Sequence, residues 1–201
     1  MITLAFDTCL DKMYAVLKRD ENILASRIVE NKDNKYHSAF LISTLQEILS
    51  ENNIKPQDVN LIAVNIGPGS FTGIRACVTV ARVMAQQLKC KAVGISSLEI
   101  LAQIAQKNPL VALDARKNCA YLYCDGKING AVQLEEVQKI INSGEYTVIT
   151  DNKLKPILGG ESYQQGNYPL GEILADLAEK KEDDGNWRKL KPLYIQPPPG
   201  V

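Results

Sequence analysis

Gly67-Pro68-Gly69-Ser70-Phe71-Thr72-Gly73-Ile74-Arg75 is the stretch whose residue types and spacing come nearest to phosphate chemistry in this 201-residue chain. Glycines between a strand and a helix can bring backbone amides onto a phosphate. The details argue against it. A Walker A loop needs GxxxxGK[ST], and no lysine follows Gly73. A dinucleotide loop needs GxGxxG and an acid about 20 positions on, at the end of the next strand. Here the third glycine is one residue late, Gly94-Ile95-Ser96 carries no carboxylate, and Glu99 falls on the following helix. The stretch reads instead as a tight strand-to-helix turn. Gly67 and Gly69 supply unusual backbone angles, Ser70 or Thr72 caps the helix, and Gly73 admits another backbone close to its first turn.

Asp7 and Asp114 are the one pair of carboxylates at equivalent places. In an ATP-using enzyme such a pair would hold metal and water near the γ-phosphate, beside glycine-rich turns whose amides hold phosphate. Asp7 is followed by Thr8-Cys9-Leu10 and Asp114 by Ala115-Arg116-Lys117, with no glycine in either turn. Both aspartates, with Thr8, therefore read as vestiges of a nucleotide site. His37 is the single histidine, which rules out a multi-histidine metal site within one chain and leaves only His37 for a Ser-His-Asp triad. No metal ligands are assigned. Gly159-Gly160 is a weak nucleotide-turn signal.

Those residues require a framework. Residues 2–6 read as a strand, and Tyr14–Leu17 and Ile23–Val29 as a hairpin about Lys18-Arg19-Asp20-Glu21-Asn22. Helices are predicted at about 36–51, 71–88, 97–106, 134–142 and 170–181; strands at 59–66, 91–95 and 146–150, with a short one at 156–158. Leu193-Tyr194-Ile195 reads as a docked extended segment, and Pro197–Pro199 as extended chain. After the Asn108-Pro109 break, Val111-Ala112-Leu113-Asp114 repeats Leu4-Ala5-Phe6-Asp7 in type. Tyr121 follows Asp114 by seven positions, as Tyr14 follows Asp7, and both copies enter a polar turn. An internal duplication of a strand–Asp–hairpin opening predicts an α/β, actin-like (ribonuclease-H-like) fold. Its lobes are 1–106 and a smaller 107–169, followed by a C-terminal helix and tail, 170–201.

The helix at 71–88 is apolar around most of its girth, with a narrow polar stripe of Thr72, Arg75, Thr79, Arg82 and Gln86. Such a helix is buried on more than one side, against the helix at 36–51 or against another subunit. Lys+Arg and Asp+Glu both number 23, which gives no overall signal for nucleic acid. The N-terminus lacks a basic leader, and no apolar run approaches the roughly 18 residues of a membrane span. Five widely spaced cysteines without a CxxC pair predict reduced thiols in a cytoplasmic protein, several of them filling the core.

The chain resembles the TsaB (YeaZ) family. The resemblance is carried by Asp7-Thr8, His37-Ser38, the 67–75 motif, Gly94-Ile95-Ser96-Ser97-Leu98, Leu113-Asp114-Ala115-Arg116 and Pro192-Leu193-Tyr194-Ile195. It covers residues 1 to about 125 well and is weak beyond, where the second lobe looks shortened. It implies a two-lobed actin-like (ASKHA) fold without a complete active site. It implies a non-catalytic subunit that binds and supports a TsaD-like enzyme in forming tRNA N6-threonylcarbamoyladenosine (t6A). A TsaE-like ATPase joins the larger complex, tRNA is met only indirectly, and the chain self-associates when alone. The catalytic paralogues carry two metal-binding histidines, which one histidine cannot supply. No cofactor is implied, and residual binding of ATP with magnesium stays open. The family interface lies on the first two helices. Here that selects Phe40, Leu41, Thr44, Leu45 and Ile48 from one, and Phe71, Gly73, Ile74, Arg75, Cys77, Val80, Ala81 and Met84 from the other. The alternative is an actin-like ATP-dependent phosphotransferase.

Overall fold

The computed structural model describes residues 1–30 and 37–196, with the side chains of 37 and 38 outside the described part. The expected extended run at Pro197–Pro199 also lies outside it. In chain order the elements are β1 (Ile2–Asp7), β2 (Met13–Arg19), β3 (Asn22–Val29), a 3-10 turn (His37–Phe40), α1 (Leu41–Glu51), β4 (Leu61–Asn65), α2 (Phe71–Leu88), β5 (Lys91–Ile95) and α3 (Ser97–Ala102). They continue with β6 (Pro109–Asp114), β7 (Cys119–Cys124), β8 (Lys127–Gln133), α4 (Leu134–Ser143), β9 (Thr147–Thr150), α5 (Lys155–Leu158), β10 (Glu161–Ser162) and α6 (Leu170–Lys180).

Two five-stranded sheets form, ordered β3-β2-β1-β4-β5 and β10-β9-β6-β7-β8. Both have the same plan. The first strand of each pairs antiparallel with a hairpin and parallel with the strand after a helix. This is the ribonuclease-H-like arrangement twice over, the actin-like α/β fold expected from the duplicated opening. The repeat is offset by one residue. Asp7 faces Tyr14 across its hairpin, whereas Asp114 faces Ala120 and Tyr121 faces Leu113. The seven-residue Asp–Tyr spacing thus matches in sequence but not in register.

Contacts divide the chain at 97/98, and residues 169–193 return to the first unit. The expected boundary was 106/107, with 170–201 set apart. The reason is packing. Alternation along a strand sends Leu4, Phe6, Met13, Ala15, Leu17, Ile62 and Val64 to one face, where they meet the buried sides of α1 and α2. The other face is covered by α6. There Thr3 Oγ1 donates to Glu179 at 2.6 Å, and Lys18 pairs with Asp176 at 2.5 Å and Glu179 at 2.8 Å. The second unit buries Leu110, Ala112, Leu122, Val137, Leu154 and Leu158 in its own core. Pro156–Leu158, expected as a short strand, lies in α5. Proline suits a first helical turn, where its missing N–H would have no partner.

Candidate functional site

The glycine turn is built around the end of β1. Gly67 sits at φ +103°, and its N–H donates to Asn65 Oδ1 at 2.8 Å. The Ser70 N–H donates to the Cys9 carbonyl at 2.8 Å, and Ser70 Oγ accepts from Gly73 N at 3.2 Å, capping α2. A Cβ on Gly69 would lie 2.3 Å from the Cys9 oxygen, and one on Gly73 would lie 1.8 Å from the Thr8 oxygen. The amides of Gly67, Ser70, Gly73 and Ile74 are spent on the chain, and the Thr8–Cys9 backbone packs directly against Gly69 and Gly73. The close approach permitted by Gly73 is made by its own lobe.

Asp7 and Thr8 are buried in the same knot. Asp7 Oδ1 accepts from Cys9 N at 2.6 Å and Oδ2 from Asn65 Nδ2 at 2.9 Å. Thr8 donates through Oγ1 to the Gly73 carbonyl at 2.8 Å, and its N–H donates to Cys77 Sγ at 3.1 Å. Asn65 completes the hub: its Oδ1 also accepts from Ser97 Oγ at 2.9 Å. Neither Asn65 nor Ser97 was selected from sequence, although an asparagine ending the apolar run Leu61–Val64 was a signal.

Asp7, Cys9 and Cys77 are a group of three metal-capable side chains whose ligand atoms lie within 4.8 Å of one another. Burial, reinforced by Cys77 and Asp7, pushes the Cys9 thiol well above its ordinary pKa, so it stays protonated. Cys9 Sγ donates to the Asn65 carbonyl at 3.2 Å. Each of the three groups is held by the chain.

Asp114 repeats the Asp7 turn in the second unit. Its Oδ1 accepts from Arg116 N at 2.9 Å, and Oδ2 pairs with Lys153 at 2.8 Å. Partial burial raises its pKa, but these bonds outweigh that and hold it below the usual carboxylate value. Gly160 fits tightly under Val148, while Gly159 faces open space.

The thirteen residues selected as an interface divide sharply. Leu41, Thr44, Leu45, Ile48, Gly73, Ile74, Cys77 and Ala81 are buried within the first unit. Val80 and Met84 are half-buried, and Phe40, Phe71 and Arg75 are exposed. Helical spacing places these residues on or beside α1 and α2 but could not separate the side facing the sheet from the side facing away. Two residues outside the selection are more exposed: Ile42 at 50% and Val83 at 55%. On α2, Ala76, Val80, Val83 and Met84 share one side beside the polar stripe, whose Arg75 lies 5.4 Å over the Phe71 ring.

A family model described as TsaD, tRNA N6-adenosine threonylcarbamoyltransferase, matches residues 22–142. The chain is 29% identical over 161 residues to the Bacillus subtilis tRNA threonylcarbamoyladenosine biosynthesis protein TsaB, covering 79% of this chain and 69% of that protein. The Escherichia coli TsaB is 29% identical over 170 residues, with 82% and 67% covered. For a Buchnera aphidicola TsaB the values are 32% over 125 residues, covering 60% of this chain and 58% of that protein. YeaZ from Pseudomonas aeruginosa superposes with a TM-score of 0.72 at 22% identity, over 96% of this chain and 99% of that one. A second P. aeruginosa structure, described as an uncharacterized protein with similarity to peptidase YEAZ, gives 0.75 at 21%, over 97% and 99%. Two ribonuclease-H-like lobes define an actin-like α/β protein. The family match covers well over half of the chain, and the chain belongs to that threonylcarbamoyltransferase-type family as a TsaB (YeaZ) member.

Proposed function

We propose that this chain works in t6A biosynthesis as a partner-binding subunit without a catalytic role of its own. It docks a TsaD-like transferase through the outward side of the His37–Phe40 turn, α1 and α2. The observation that carries this reading is exposed apolar surface on three elements of the first unit: Phe40 at 38%, Ile42 at 50%, Phe71 at 40% and Val83 at 55%. Exposed apolar side chains gathered on one region mark interaction surfaces. Val80, Met84, Phe71 and Arg75 keep their proposed interface role, and Ile42 and Val83 join it. The buried members of the original selection support the helices from beneath.

The same surface serves self-association when the partner is absent. A TsaE-like ATPase joins the assembly, tRNA is met through the transferase, and the complex works in the cytoplasm. The direct packing of the Thr8–Cys9 backbone against Gly69 and Gly73 supports a non-enzymatic role. The test is co-purification with the TsaD-like protein of the same cell. Val83→Asp together with Phe71→Asp should leave a folded chain that no longer retains the partner. Unchanged retention refutes the surface. Tight, Asp7-dependent binding of ATP with magnesium by the isolated chain would refute the non-enzymatic reading.

A further inference from the structure

The outer edge of β5 would expose unpaired backbone groups, and the returning C-terminal segment covers it. Ala92 N donates to the Gly185 carbonyl at 2.9 Å, Lys181 Nζ donates to the Gly94 carbonyl at 2.9 Å, and Leu193 N donates to the Ile66 carbonyl at 2.8 Å. The cover is incomplete. Between β5 and residues 181–191 it leaves a cavity of about 170 Å³.

The floor is apolar and tight: a Cβ on Gly94 would lie 2.5 Å from Ile66 and 2.8 Å from Leu190. Lys181, Lys189 and Lys191 line the rest, against one carboxylate, Asp183, and together with Asn186. Lys189 is partly neutralised by Asp184 at 2.5 Å. Lys181 and Lys191 take part in none of the ion pairs among the described residues. Arg188 and Arg82 lie over the ring of Trp187 at 4.5 and 5.9 Å.

Lys181 spends one donor on the Gly94 carbonyl and Lys189 one on Asp184, so against Asp183 and Asp184 the three lysines leave a net charge of about +1 at this hollow, which an anion neutralises. Three point-charge donors match the oxygens of a phosphate better than the two oxygens of a carboxylate. The hollow is smaller than the roughly 300 Å³ of an ordinary small-molecule pocket. It therefore takes a phosphate group whose remainder lies outside.

We infer that this cleft at the β5 edge is a phosphate-binding site that seats a backbone phosphate of RNA. The RNA assignment rests on the proposed role in t6A biosynthesis; the phosphate site does not. It gives the chain a direct RNA contact in addition to contact through the transferase.

The test uses the full chain with two probes, inorganic phosphate and a tRNA transcript, read by amide chemical shifts of Gly94 and Asn186 and by equilibrium binding across a salt series. Lys189→Gln with Lys191→Gln is the test variant, because Lys181 also closes the sheet edge. Lys139→Gln, exposed on α4, is the control. Both probes should move the two amides. The double variant should weaken RNA binding about tenfold and flatten the salt slope by about one per lysine, while the control and retention of the TsaD-like partner stay unchanged. Phosphate shifts without RNA shifts would uphold the site and overturn its RNA source. No shift with either probe, or a double variant with wild-type RNA affinity and slope, overturns the proposal. Unchanged partner retention by Val83→Asp with Phe71→Asp, with intact RNA shifts, would sink the docking surface alone.

Discussion

The carbonyl oxygen of Thr8 stands 1.8 Å from the position a Cβ would take on Gly73, and the Thr8 hydroxyl bonds back to the Gly73 carbonyl. The turn after β1 and the first turn of α2 are thus locked backbone to backbone. No rotamer change relieves such a clash. Gly73→Ala should cost about 3 kcal/mol or more, at the upper end for overpacking. Urea unfolding checks this, and a loss below about 1 kcal/mol would mean the two turns can separate.

Leu45 and Val83 make opposite demands on the same substitution. Leu45 is 2% exposed beneath α1, so Leu45→Asp buries a charge without a partner and should unfold the first unit, at a cost of about 4 kcal/mol or more. Val83→Asp lies on the surface and should change stability by no more than about 0.5 kcal/mol. Thermal unfolding of the two variants checks the assignment of faces. Val80→Asp is a poorer probe, because Val80 is half-buried against the core and would confound folding with docking.

The framework was largely legible in the sequence because it is local. Apolar runs, the Asp20 and Asp125-Gly126 turns and the cap at Ser70 each depend on neighbours in the chain. The Gly67–Arg75 loop was legible as a turn through its spacing. The Asn65 hub was not, because its partners come from β1, the glycine turn and α3. Nor was the inward side of α1 and α2: the period places residues on a face but does not say which face the sheet takes. The cover over β5 was hidden for the same reason, since the charged run Lys180–Gly185 reads as a solvated segment until Gly185 accepts from Ala92 at the strand edge.

Lys18 ties α6 to the sheet. Its side chain is 4% exposed and contacts Asp176 and Glu179. Burial by itself lowers its pKa, but the hydrogen bonds and charges of the two carboxylates outweigh this and raise it above the ordinary lysine value. The group therefore stabilises the fold fully below its unfolded pKa of about 10.4, and the contribution fades as pH rises towards the higher folded value. Lys18→Met should cost about 3 kcal/mol at pH 7 by stranding the mostly buried Glu179 carboxylate. Urea titrations at pH 7 and near pH 11 should show the wild type losing stability through this window and the variant following a flatter course. Parallel curves would remove Lys18 from the linkage.

Asn65→Asp tests whether the hub must be neutral. The amide donates to Asp7 Oδ2 and accepts from Gly67 N and Ser97 Oγ, so an aspartate keeps the acceptor and loses the donor. It also sets a second carboxylate against buried Asp7. Like charges in one buried site raise the pKa of the pair, and one proton is retained at mildly acidic pH. A carboxyl whose folded pKa is raised loses stability as pH climbs from its unfolded value of about 3.9 towards the folded one. The variant should therefore be near wild-type stability at about pH 4.5 and several kcal/mol weaker at pH 8, with Asn65→Ser showing no such added slope. Denaturation midpoints at the two pH values decide it, and equal losses at both would show that the hub tolerates a second charge.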